Sequence, residues 1–363
     1  MTRAVRRPAA LVLVAALALG AGAGTAAGTA VATGPTVSQL IGQKLVVAMD
    51  GTTTPTAGLL DRIAKGQVGG VILFGRNVTT KAALVAVARQ LHDAATKAGR
   101  PRLLIMVDQE GGSIKRIPWA PPTLSPPQMG AMASTATARS QGGQTGTALS
   151  SLGIDVDLAP VADVPASTSS FLYQQGRTWS FSASTTAWLA LAFAQGLETG
   201  HVIPAMKHFP GLGFATKNTD TAVVGIHATA AQLAPGLRPY QLAVGDHLPL
   251  VMLSNATYTA YDPVHPAGWS PTIINGLLRG QLGYRGVTIT DSLDGTAAAR
   301  GMTDVTLAEH AASAGTDMIL ITGSETTSAG VFADLVAKAT SGAIPLASLQ
   351  ASYSRILALK SQP

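Results

Sequence analysis

A set of polar residues in this chain stands directly behind strongly apolar runs: Asp50, Arg76, Asp108, Asp163, Lys207 with His208, Asn255 and Asp291. One aspartate after a strand is ordinarily a helix cap. A whole series of them, in a chain with only 12% charged residues, points instead to a polar pocket for a hydroxyl-rich ligand. Carboxylates are the reactive groups in that series. Glycoside hydrolysis needs one carboxylate to attack or stabilise an anomeric carbon and a second group to protonate the leaving oxygen. Asp291 is the foremost candidate nucleophile, because it ends the run Gly286–Thr290 and sits between Thr290 and Ser292.

Competing chemistries lack their signatures. None of the seven histidines forms an H-x-H or H-E-x-x-H pair, which argues against a zinc hydrolase. No G-x-S-x-G phrase occurs, so a serine nucleophile on a strand-to-helix elbow is not expected. Gly111–Gly112 lacks the G-x-G-x-x-G spacing that cradles a pyrophosphate. With no cysteine, disulfides and thiolate metal sites are excluded.

The elements that must position these residues alternate in type. Short apolar, β-branched runs occur at Lys44–Met49, Gly70–Phe74, Leu103–Val107, Val156–Val161, Val202–Met206, Leu248–Leu253, Val287–Thr290 and Met318–Ile321. Helical spacing of Ala, Leu and Val fills stretches such as Lys81–Ala98, Thr185–Glu198 and Leu307–Ala314. Leu346–Lys360 repeats apolar residues at i, i+3 and i+4, as a closing amphipathic helix would. About eight such βα units predict a single α/β domain, a (β/α)8 barrel, with a doubly wound sheet as the structural alternative. In a barrel the C-terminal strand ends share one mouth, so the polar residues would meet there.

Residues 1–33 read as an export leader: Arg3, Arg6 and Arg7 precede the apolar run Ala9–Leu19, and small residues follow through Ala32. Nothing later is long and apolar enough to span a bilayer, and no lipid-attachment cysteine is present, so a secreted protein is expected. The formal net charge of +6 falls to about +3 without the three leader arginines. The remaining charge forms no basic stripe, and nucleic acid is not expected as a partner. A carbohydrate-binding monomer of residues 34–363 is the expectation.

The ordered phrases IGQKLVVAMDG, GGVILFGRNV, LLIMVDQEGGSIKRI, LGIDVDLAPVADV, AMKHFPGLG, LVMLSNATY, LLRGQLGYRGVTITDSLDG and SRILALK resemble the N-terminal barrel domain of glycoside hydrolase family 3, in its bacterial β-N-acetylglucosaminidase branch. The resemblance implies a retaining β-glycosidase acting on amino-sugar oligosaccharides or cell-wall fragments, without cofactor or metal. It implies that Asp291 is the nucleophile and that Asp108 holds sugar hydroxyls at the pocket floor. Lys207 and His208 would bind the same sugar, as would Arg177, whose RTWSF phrase stands where the family has R-S-F.

The chain departs from that branch at the acid. The family's KHFPGHG phrase reads KHFPGLG here, with Leu212 for the second histidine. Its D-S-H loop reads Asn218-Thr219-Asp220, so Asp220 replaces the acid/base histidine and Asn218 its tuning aspartate. Ser113 and Asn255 stand where the family usually has arginine and often has histidine. Three readings follow: Asp220 is the acid/base, another carboxylate such as Glu110 or Asp294 supplies the proton, or the pocket binds sugar with little or no turnover.

Overall fold

The structure is a computed structural model that describes residues 34–362. The expected export leader, residues 1–33, lies outside the described residues. Eight parallel strands form one sheet: β1 (Leu45–Ala48), β2 (Gly70–Ile72), β3 (Leu104–Val107), β4 (Val156–Asp157), β5 (Ile203–Phe209), β6 (Leu250–Leu253), β7 (Val287–Thr290) and β8 (Ile319–Ile321). Neighbours in sequence are neighbours in space, from Val46 against Gly70 through to Val287 against Leu250. Two contacts then turn the sheet into a ring. β8 pairs with β1 in the register Leu45–Ile319, and a parallel bridge joins Ile289 of β7 to Met318. The closed ring excludes the doubly wound alternative, and all eight apolar runs lie on it.

Every strand is buried on both faces, which is why the runs are continuously apolar rather than alternating. Val46, Ala48, Ile72, Leu104, Met106, Ile203, Leu250 and Ile289 point inward and fill the barrel. Leu45, Val47, Val71, Ile105, Val107 and Val251 point outward and meet the surrounding helices. The expected helices form at Lys81–Lys97, Ala183–Thr199, Asp304–Ala314 and Leu346–Lys360. Most begin at a serine or threonine whose hydroxyl accepts an amide of the first turn, as Thr80, Ser182 and Thr303 do.

The helix Leu346–Lys360 reaches the N-terminal end of the barrel, where Ile356 and Leu359 join the interior core. At the opposite end the loops are elaborated. A small sheet of Gly225–Ile226, Thr257–Tyr258 and Asp262–Pro266 ties the loop after β5 to the loop after β6. A hairpin of Gln109–Gly111 and Ile114–Lys115 follows β3. Gly111 and Gly112 make its turn with φ of 94° and 60°, values that residues with a Cβ rarely adopt.

Candidate active site

A cavity of about 390 Å³ opens among the loops at the C-terminal ends of the strands. Its floor is the last apolar layer of the barrel, including Ile72, Leu158, Met252 and Leu320. Its walls are charged. Asp108, Arg177, Lys207, His208, Asp220 and Asp291 all line it, so the residues that the family resemblance marks for catalysis and sugar binding share one pocket.

One wall is a buried ion cluster. Lys207 Nζ lies 2.7 Å from Asp108 Oδ1 and 2.7 Å from Glu110 Oε1. Arg177 grips Glu110 with both arms of its guanidinium, each at 2.8 Å. This fork holds the Arg177 guanidinium at the cavity wall. Asp108 and Glu110 face the pocket because Gln109 between them turns the other way. Gln109 exchanges hydrogen bonds with the Ile117 backbone, and its own amide donates to Asp157 Oδ1 at 2.9 Å. Burial alone would raise the Glu110 carboxyl, but Lys207 and Arg177 hold it down to about 2. Burial opposes the charge on Lys207 too, yet Asp108 and Glu110 raise its pKa above the ordinary lysine value. The cluster is therefore fixed in its charged form, and Glu110 has no proton to give near neutral pH.

The second wall carries a histidine aimed by a carboxylate. Asp163 Oδ2 lies 2.7 Å from His208 Nδ1 and accepts the His208 amide at 3.2 Å, while its other oxygen accepts the Leu212 amide. A carboxylate already accepting two amides also takes the Nδ1 hydrogen, which leaves Nε2 facing the pocket. That nitrogen is 3.9 Å from Asp291 Oδ2. Asp291 follows β7 directly and accepts the Ser292 amide on Oδ1 at 2.8 Å. Ser292 Oγ is bonded to Thr322 Oγ1 at 2.5 Å, which braces the turn after the strand.

Asp220 closes the third side, at the exposed rim of the pocket. Its amide donates to Asn218 Oδ1 at 3.0 Å, and amides of Thr221 and Ala222 donate to the Asn218 carbonyl, so the loop is a tight turn. Loss of water on the pocket side and the facing charge of Asp291 push the Asp220 carboxyl up to about 6. His208, Arg177 and the Asn218 bond pull in the other direction without cancelling that rise. Asp294, the other carboxylate considered for proton supply, is engaged elsewhere: its Oδ2 accepts both the amide and the hydroxyl of Thr322.

Not every polar strand end reaches the pocket. Asp50 accepts the amide of Glu325 at 3.0 Å and so caps the helix Glu325–Thr340. Arg76 donates to the Met49 carbonyl at 3.2 Å. Asn255 lies beneath the site, donating to the Ser292 carbonyl at 2.7 Å and to Thr296 Oγ1 at 2.9 Å. Arg116 follows no apolar run in the sequence, yet it lines the cavity with its guanidinium 3.7 Å from Asp108. The Asp108–Glu110 alternation on a hairpin was the signal available for the ion cluster.

Residues 36–359 match the family profile described as the glycosyl hydrolase family 3 N terminal domain. The chain belongs to glycosyl hydrolase family 3. It is 32% identical over 327 residues to an "uncharacterized secreted glycosyl hydrolase" of Arthroderma benhamiae, covering 88% of this chain and 92% of that one. It is 31% identical over 286 residues to a β-hexosaminidase of Xylella fastidiosa, covering 76% and 82%. Among solved structures it superposes on a β-N-acetylhexosaminidase from Beutenbergia cavernae with a TM-score of 0.83, at 34% identity over 90% of this chain and 98% of that one. A family 3 β-N-acetylglucosaminidase from a Paenibacillus species gives a TM-score of 0.85 at 28% identity, and this chain spans 62% of that longer protein. This protein is thus a glycoside hydrolase whose relatives include β-hexosaminidases, and its pocket is the candidate active site. No helix among the described residues is long and apolar enough to cross a membrane.

Proposed function

We propose that this protein is an exported, retaining β-N-acetylglucosaminidase that uses Asp291 as nucleophile and Asp220 as general acid/base. The observation that carries the reading is the pair itself. Two carboxylates border one cavity, and the rim carboxyl is pushed up to about 6, into the range of a working acid. A carboxylate of Asp291 attacks the anomeric carbon, and the carbon–oxygen bond to the leaving sugar breaks. Asp220 gives its proton to that oxygen. The ionised Asp220 then takes a proton from water, the hydroxide attacks the same carbon, and Asp291 is released.

The wall cluster suits the terminal sugar. Asp108 and Glu110 offer acceptors, Lys207 and Arg177 offer donors, and Nε2 of His208 reaches in beside the nucleophile. Each of these groups is held by a charged partner, so the array is rigid before the sugar arrives. The choice of N-acetylglucosamine, released from cell-wall or chitin-type oligosaccharides, rests on the β-hexosaminidase and β-N-acetylglucosaminidase relatives. Export rests on the leader pattern in residues 1–33 and on the relative called secreted.

The test is hydrolysis of a panel of 4-nitrophenyl β-glycosides by the wild type and by Asp291→Ala. The N-acetylglucosaminide should be the best substrate, and its turnover should vanish in the variant. An activated leaving group needs little protonation, so this assay isolates the nucleophile from the acid. Wild-type protein that turns over no member of the panel, or Asp291→Ala that keeps its rate, would overturn the proposal.

A further inference from the structure

An aspartate carries its carboxyl closer to the backbone than histidine carries its distal ring nitrogen. An Asp220 acid therefore needs its backbone nearer to the nucleophile than a histidine would. The helix Leu293–Arg300, which begins two residues after Asp291, supplies that approach. Gly295 on its first turn lies under the Asp220 backbone so closely that an added Cβ would stand 2.4 Å from the Asp220 carbonyl oxygen and 3.0 Å from its Cβ. Cβ atoms do not occupy such positions without something moving, and the nearest atom here is backbone. The next residue adds a bond. Thr296 Oγ1 donates to the Thr219 carbonyl at 3.2 Å, and the same oxygen accepts Asn255 Nδ2 at 2.9 Å. The other hydrogen of the Asn255 amide goes to the Ser292 carbonyl at 2.7 Å. Asn255 thus ties the residue beside the nucleophile to the hydroxyl that holds the acid loop, and both it and Thr296 are 1% exposed.

We infer that Gly295, with Thr296 and Asn255 behind it, is a positioning device that seats the Asn218-Thr219-Asp220 turn against the nucleophile's own helix and so gives the short Asp220 side chain its reach. The inference rests on the reading of Asp220 as acid. It assigns a purpose to Gly295 at the cavity wall and to Thr296 and Asn255, both buried behind it. Neither half of the device works alone: without the glycine the turn is pushed outward, and without the hydroxyl it is free to lift.

The decisive variant is Gly295→Ala, compared by kcat/KM, which reads formation of the glycosyl-enzyme and not its base-assisted release, on two β-N-acetylglucosaminides that differ only in the leaving group. One carries 2,4-dinitrophenol, which departs without a proton, and the other carries a simple alkyl alcohol, which requires one. Alanine is the better helix former, so the helix itself gains nothing from the glycine. The expected result is a loss of about 10- to 100-fold on the alkyl substrate, part of the about 10²- to 10⁴-fold that acid catalysis contributes, with a change under about threefold on the dinitrophenyl one. Thr296→Val, which keeps the shape and removes the hydroxyl, should lose in the same direction by a smaller factor. Adding Asp220→Glu to Gly295→Ala should restore part of the alkyl rate, since the extra methylene recovers the lost distance. An equal loss on both substrates in Gly295→Ala, or no loss on either, would overturn the inference. Asp220→Ala is run alongside: if it shows the leaving-group split and Gly295→Ala does not, only the positioning role fails. If Asp220→Ala itself shows no split, the acid assignment beneath it fails as well.

Discussion

The two ends of this barrel hold buried charges of the same types and use them differently. At the N-terminal end, Asp317 takes Nη2 of Arg279 at 2.6 Å, Nη2 of Arg355 at 2.7 Å, Ser352 Oγ at 2.8 Å and the Thr288 amide at 2.9 Å. Lys44 completes that knot through the Thr316 carbonyl at 2.7 Å and Ser352 Oγ at 3.0 Å. The closing helix supplies Ser352 and Arg355, so sealing the barrel and satisfying the carboxylate are one event. At the C-terminal end Asp108, Glu110, Lys207 and Arg177 are also paired, but they surround a cavity rather than fill one. Asp291 and Asp220 then border the open space, and among the described residues no lysine or arginine pairs with either. Saturated charge holds the ring together, and partly matched charge around a void is what a reaction requires.

That contrast predicts a crossed pair of phenotypes. Asp291→Ala should lose about 10⁴-fold or more in kcat, on the scale of other lost nucleophiles. It should keep its stability, because the change removes a like charge facing Asp220. Asp317→Ala should do the reverse. Stranding Arg279 and Arg355 near an empty site should cost about 3–5 kcal/mol in urea unfolding, with kcat of the folded fraction unchanged. Its pH dependence has a definite sign. Burial alone would raise the Asp317 carboxyl, but Arg355 and Arg279 hold it below the usual carboxylate range. The stability it contributes is therefore complete above about pH 4, the ordinary aspartate value, and is lost as pH falls through its lower folded value. The variant should accordingly show a shallower acid limb of unfolding. Equal loss of activity and stability in either variant would erase the distinction between the two ends.

A smaller effect sharpens the same comparison from the catalytic side. The raised Asp220 carboxyl must be protonated to start the reaction, so kcat/KM of the wild type should decline as pH rises above about 6. The decline should disappear in Asp220→Ala, whatever its residual rate. A wild-type profile flat from pH 5 to 8 on an unactivated β-glycoside would contradict the placement of the acid at Asp220.

How much of this was legible in the chain follows from which interactions are local. The strands were readable because a parallel barrel buries both faces, so its strands are short apolar runs with polar ends. Asp291 and the Lys207–His208 pair were readable because each adjoins such a run. Asp50 looked the same in sequence yet caps a helix, because a residue at a strand end can turn into the mouth or away from it, and the choice depends on the neighbouring unit. Glu110 and Asp294 stood as rival proton donors only while their partners were unknown. Arg177 lies 67 residues from Glu110 and Thr322 lies 28 from Asp294, and pairs at those separations are made by the closed ring. The seat of the acid loop was hidden for a further reason: nothing in a glycine shows what lies against it. Pro235 and Pro239 show the opposite case, since both sit within the continuous helix Ala230–Gly245 although proline disfavours a helix interior.

The division of labour between Asp291 and Asp220 is tested most directly by chemical rescue. Asp220→Ala should form a glycosyl-enzyme from 2,4-dinitrophenyl β-N-acetylglucosaminide and release it slowly, because no base activates water. Azide, which needs no base, should then accelerate turnover and yield the β-glycosyl azide, the product of two inversions at one carbon. An α-glycosyl azide would contradict the covalent intermediate on Asp291, and azide without effect on a slowed Asp220→Ala would contradict Asp220 as the base.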